Sequence, residues 1–81
     1  MFLVGDLVKI NQKMIQRPLS IYDFHEMTGY YASAFFEQGS TGIILDFKNE
    51  EKMSYVKILT SDNKIGWVRS VYLENINLSD V

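Results

Sequence analysis

Residues 54–76, SYVKILTSDNKIGWVRSVYLENI, constrain the fold more than any other stretch of this chain. Ser54 to Thr60 is rich in β-branched and aromatic residues, and it alternates. Val56 and Ile58 share one face, Tyr55 and Lys57 the other, as a half-buried strand requires. Ser61-Asp62-Asn63-Lys64 follows; Asp and Asn tolerate left-handed backbone angles, so Asp62-Asn63 is expected at the centre of a two-residue hairpin loop. Ile65 to Arg69 then returns as a second strand, with Gly66 and Val68 on one face and Ile65, Trp67 and Arg69 on the other. A glycine inside a strand signals a bend or the close crossing of another strand, so Gly66 marks a packing point. Ser70 is suited to open a single 3₁₀ turn, which would carry Tyr72 and Leu73 back across the end of the sheet. Glu74 to Ile76 is the expected closing strand.

The run Gly66-Trp67-Val68-Arg69-Ser70-Val71-Tyr72-Leu73 resembles the G-W-V-x-x-x-Y-L signature of bacterial SH3 domains. That resemblance implies a mainly β chain: a five-stranded antiparallel SH3-like barrel, with a long, partly structured arm between the first two main strands. Val4 to Ile10 is the expected first strand, led in by a turn at Gly5-Asp6. Gly42 to Phe47 is the second main strand, with Ile43, Leu45 and Phe47 alternating against Ile44 and Asp46. Val8, Ile10, Ile43, Leu45, Val56, Ile58, Val68 and Leu73 form the expected core. Lys48 to Lys52 is a charged loop.

The arm, residues 11–40, is too long to be structureless inside a compact domain. Arg17-Pro18 ends whatever precedes it and keeps Leu19 out of a central strand. Ser20 is suited to cap a short helix over residues 20–28, with Asp23 three positions on and Gly29 as the C-cap. Ala32 to Phe36 is expected to be extended. A second alignment competes, since Ile21-Tyr22-Asp23-Phe24 resembles the A-L-Y-D-F motif of eukaryotic SH3 domains, whose Tyr helps line a groove for proline-rich peptides. That family's paired Trp is missing where Ser54-Tyr55 stands, Arg69-Ser70-Val71-Tyr72 replaces its Pro-Ser-Asn-Tyr segment, and the Gly5–Ile10 strand would be left over.

Eighty-one residues hold one small core, so residues 1–76 are read as a single SH3-like domain and residues 77–81 as a polar, frayed tail. Without cysteine there are no disulfides and no thiolate metal sites. A hydrophobic share of 47% opposes intrinsic disorder. No apolar run is long enough to span a membrane, and Met1-Phe2-Leu3-Val4 lacks the basic flank of a signal peptide. The expectation is a cytoplasmic protein, in the host cytoplasm or a virion if phage-encoded, with no membrane contact.

No catalytic constellation emerges. His25 is the one histidine, and no motif supplies it with a nucleophile and an orienting group; it reads as a half-exposed helix residue. Glu50-Glu51 reads as a solvated turn, since calcium loops space their oxygen ligands regularly. The chain is therefore not expected to be an enzyme or to hold a metal or cofactor. Eleven aromatic residues are more than one small barrel core needs. Tyr22, Tyr30, Tyr31, Phe35, Phe36, Trp67 and Tyr72 are the candidate partner-binding residues, because Tyr and Trp join a large apolar body to a polar tip. The plainer alternative is that the arm's aromatics pack on the barrel as a second small core.

The layout G-D-L-V, G-I-I-L-D, V-K-I-L-x-S-D-x-K-I-G-W-V and Y-L-E-x-I is similar to small stand-alone SH3-like proteins of tailed bacteriophages. It implies a virion part, such as a capsid decoration or a neck or tail adaptor, or else a binder of host proteins; bacterial SH3 domains also bind cell-wall peptides. A protein partner or self-association is expected. A KOW-like nucleic-acid-binding barrel is the competing class. A net charge of −2 and eight dispersed basic residues oppose it, because phosphate contacts need clustered Lys and Arg.

Overall fold

The computed structural model of the chain describes residues 2–25, 29–50 and 52–76, with residues 24, 25, 29 and 30 described by their backbone alone. Seven strands follow in order: β1 (Leu7–Ile10), β2 (Leu19–His25), β3 (Gly29–Phe36), β4 (Gly42–Asn49), β5 (Ser54–Thr60), β6 (Ile65–Arg69) and β7 (Leu73–Asn75). A 3₁₀ turn, Ser70–Tyr72, joins the last two. All pair antiparallel in one sheet of order β3-β2-β6-β5-β4-β1-β7. The chain is mainly β, but the sheet is open and seven-stranded, not the expected five-stranded barrel. The difference lies in the arm: its residues 19–25 pair with residues 29–36, and β2 joins the same sheet through β6.

The expected helix over residues 20–28 is absent where the chain is described: residues 19–25 are strand β2, and residues 26–28 lie outside the described set. Ser20-Ile21-Tyr22-Asp23 offers a capping box and a period-2 alternation at once. Alternation wins because β3 supplies a ladder and β6 supplies a surface for Ile21. Leu19, expected outside a central strand, lies in β2 between β3 and β6, opposes Phe36 and is buried. Pro18 stands just ahead of the first paired residue, where its missing N–H breaks no ladder bond. The extended reading of residues 32–36 holds within the longer β3.

A flat sheet of seven strands would hold its edge strands roughly 29 Å apart, at about 4.8 Å per step. Yet the buried core is one cluster drawn from every strand: Val8, Ile10, Leu19, Ile21, Phe36, Ile44, Val56, Ile58, Val68 and Leu73. The sheet must therefore curl, with its inner face toward itself. Bulges assist: β3 has an extra residue at Ser33, and β4 has one at Leu45.

Six of the eight expected core residues are buried. Ile43 and Leu45 are not, at 40% and 38% exposed, while Ile44 is fully buried opposite Ile58. Apolar residues on both faces of GIILDF leave its phase undetermined locally, and the pairing with β5 decides it.

The β5–β6 connection is a three-residue loop rather than the expected two-residue one. Asn63 N–H donates to the Thr60 carbonyl, Thr60 N–H donates to the Lys64 carbonyl, and only Asn63 has a positive φ, 69°. That combination is a type I turn followed by a left-handed residue. The buried Thr60 hydroxyl accepts from Lys64 N–H at 2.9 Å and donates to the Asp62 carboxylate. These contacts hold the Asp62 carboxyl below its ordinary range, the Thr60 hydrogen bond first and the Lys64 ammonium second.

At the other end, the Asp6 carboxylate accepts from Leu3 N–H at 2.9 Å and from Asn75 Nδ2 at 2.8 Å. It thereby ties the leading turn to the closing strand.

Candidate functional site

Gly66 positions the site. A Cβ at residue 66 would lie 2.6 Å from Ile21 Cγ2 and 2.7 Å from the Tyr22 carbonyl oxygen, so only glycine lets β2 cross β6 this closely. The crossing sets Tyr22 directly opposite Trp67, and β5 sets Lys57 opposite Trp67 on its other side. Directly opposed residues share a face, so Tyr22, Trp67 and Lys57 form a row on the outer side of the sheet. The Lys57 ammonium lies 6.0 Å from the centre of the Trp67 ring.

Two residues beyond Trp67 on the same face, Arg69 ends β6, and its guanidinium sits 5.4 Å from the centre of the Tyr72 ring. The 3₁₀ turn brings Tyr72 there. The Ser70 hydroxyl, expected to cap a nearby amide, instead donates to the Ser54 carbonyl at 3.2 Å and anchors the turn to β5. Asn11 N–H holds the turn's other end through the Tyr72 carbonyl at 2.8 Å. A cleft of about 70 Å³ opens between β2 and this turn, lined by Arg17, Leu19, Ser20, Tyr22, Arg69 and Tyr72.

The seven candidate aromatics are thus distributed rather than gathered. Tyr22, Trp67 and Tyr72 are half-buried along the outer face and the cleft. Phe35, opposite Ser20, is 52% exposed at the margin of the same face. Tyr31 is exposed but opposes Asp23, in the other phase of β2. Phe36 is core, 1% exposed. Tyr30 has only its backbone described. Phe36 therefore packs in the one core cluster rather than in a second one, and Phe35 and Tyr31 remain exposed.

Sequence reasoning missed Arg17 and Arg69. They are the only two arginines in the chain and stand far apart in sequence, so no spacing rule connects them. Among the described residues no three His, Asp or Glu side chains gather into a metal-binding group, and no helix is long and apolar enough to cross a membrane. His25, expected on a helix, lies at the end of strand β2.

No protein-family model matches the chain, and comparison with curated proteins and with solved structures finds no match.

Proposed function

We propose that the protein is a non-catalytic interaction module that binds another protein through the outer face built by Tyr22, Trp67 and Tyr72. The observation that carries this reading is the aromatic row itself. Two segments distant in sequence, β2 and the run from β6 into the 3₁₀ turn, deliver half-exposed Tyr and Trp side chains to adjoining positions, each ring within reach of a cation or a polar cleft. Such side chains give large contact area at low entropic cost.

The SH3-like reading belongs with this proposal. It is supported by the Gly66–Leu73 signature, by the 3₁₀ turn between the last two strands, and by the pairing of the first strand with the closing one. The layout resemblance favours a small phage accessory or virion protein, such as a capsid decoration or a neck or tail adaptor, as the carrier of such a module.

The test is capture of partners from infected and native lysates, with molar mass in solution measured alongside. Wild type should retain a capsid, neck or tail protein, and Trp67→Ala should release it while the melting transition stays cooperative. Monomeric protein that captures nothing, with Trp67→Ala affecting only the melting temperature, overturns the proposal.

A further inference from the structure

We propose that the cleft between β2 and the 3₁₀ turn is a carboxylate-binding subsite that reads an acidic side chain on a partner polypeptide. This deepens the interaction reading and rests on it. The chain has two arginines, and both line this one cleft, together with Tyr22 and Tyr72. None of the lining residues is acidic. Among the described residues the ion pairs are Lys9 with Glu74 and Lys64 with Asp62, and neither guanidinium has a carboxylate within ion-pair distance. Two cations lining one small cleft repel each other, and a bound anion would offset both.

The donors are also set for it. Arg17 Nη1 makes one long bond, 3.4 Å, to the adjacent Pro18 carbonyl, which leaves most of its fork unused. Arg69 is held by the face of Tyr72, an interaction that uses ring charge rather than an N–H. A planar guanidinium fixed in this way is preorganised for the two oxygens of a carboxylate. Tyr22 and Tyr72, which line the same cleft, carry hydroxyl donors as well. A volume of about 70 Å³ suits a small group at the end of a side chain; whole cofactors and drug-sized ligands occupy roughly 300–1,000 Å³.

The occupant follows from charge and setting. A polyanion such as nucleic acid meets the whole chain, whose net charge is −2, whereas a single carboxylate meets the local arginine pair. A free inorganic anion would use only the cations. A polypeptide would also cover Leu19, Tyr22 and the neighbouring Trp67.

The experiment is an NMR amide titration of the full chain with three probes: a capped Gly/Ser heptapeptide carrying two central glutamates, its glutamine counterpart, and sodium phosphate. The glutamate peptide should shift amides of residues 17–22 and 69–72, and should bind at least about tenfold more tightly than the glutamine peptide, as charge-assisted hydrogen bonds require. Arg17→Gln and Arg69→Gln should each remove about that factor, and Arg17→Lys should recover part of it. Arg17 is exposed, so Arg17→Gln carries the test if Arg69→Gln disturbs the turn. Equal binding of the two peptides, shifts centred elsewhere, or complete displacement of the glutamate peptide by equimolar phosphate would overturn the proposal. Capture that depends on Trp67 without any preference for glutamate would sink this subsite alone and leave the interaction reading standing.

Discussion

Gly66 is where one residue's missing side chain decides the packing of two strands. Adding a methyl group there drives it into Ile21 and the Tyr22 carbonyl, and backbone has little room to give. Gly66→Ala should therefore destabilise the domain by about 1–3 kcal/mol, the usual range for overpacking, and should perturb Tyr22 and Trp67 together. Chemical denaturation followed by Trp67 fluorescence checks both effects, and an unchanged midpoint would refute the crossing geometry. Asp62 gives a pH signature at the same scale. Its folded pKa is depressed, so its contribution is fully present above the unfolded-state pKa and is lost as pH falls through the folded one. Asp62→Asn should flatten the acid limb of the stability profile below about pH 4 and leave its dependence near neutrality unchanged. Thermal melts across pH 2–7 would reveal it.

At the scale of the element, β4 is the most informative strand. Its two faces are both apolar, and which one turns inward is fixed by Ile44 standing opposite Ile58. Ile44→Ala should remove about 2–5 kcal/mol, as truncation of a fully buried aliphatic side chain does. Ile43→Ala, on the exposed face, should change stability by less than about 1 kcal/mol. Equal losses at the two positions would show that the phase is wrong. The same contrast separates the arm's aromatics: Phe36→Ala should act on folding, and Phe35→Ala chiefly on association.

For the whole molecule, the balance of charge sets what it can approach. Net charge −2 and a pI near 5.2 leave no long cationic track for a phosphate backbone. Fluorescence titration with duplex or single-stranded oligonucleotides at physiological salt should show no micromolar binding. A salt-dependent transition there would favour the KOW-like alternative. The two ends of the open sheet, β3 and β7, differ in their exposure to partners. β3 carries no charged residue along Gly29–Phe36, whereas β7 is short and its Glu74 faces Lys9. Lys64 Nζ, 3.3 Å from the Phe35 carbonyl, covers part of the β3 edge.

What the sequence determined by itself was the chain's second half. Val56, Ile58 and Val68 alternate with polar or aromatic partners, so one face of each strand could only turn inward, and Gly66 announced a close crossing. The 3₁₀ turn was legible at Ser70 for a similar reason, although the partner of its hydroxyl was not. Where local signals conflicted, tertiary structure decided. Residues 20–25 could cap a helix or alternate as a strand, and pairing with β3 and the crossing at Gly66 selected the strand. GIILDF could bury either face, and its neighbour β5 selected Ile44. The site followed the same division: its aromatics stood out by number, but their separation into core, outer face and opposite phase came from register and bulges. The placing of Arg17 and Arg69 around one cleft had no local cause at all. It exists because β2 pairs antiparallel with β6 and so sets its entrance beside the end of β6, a placement that no pattern along the chain encodes.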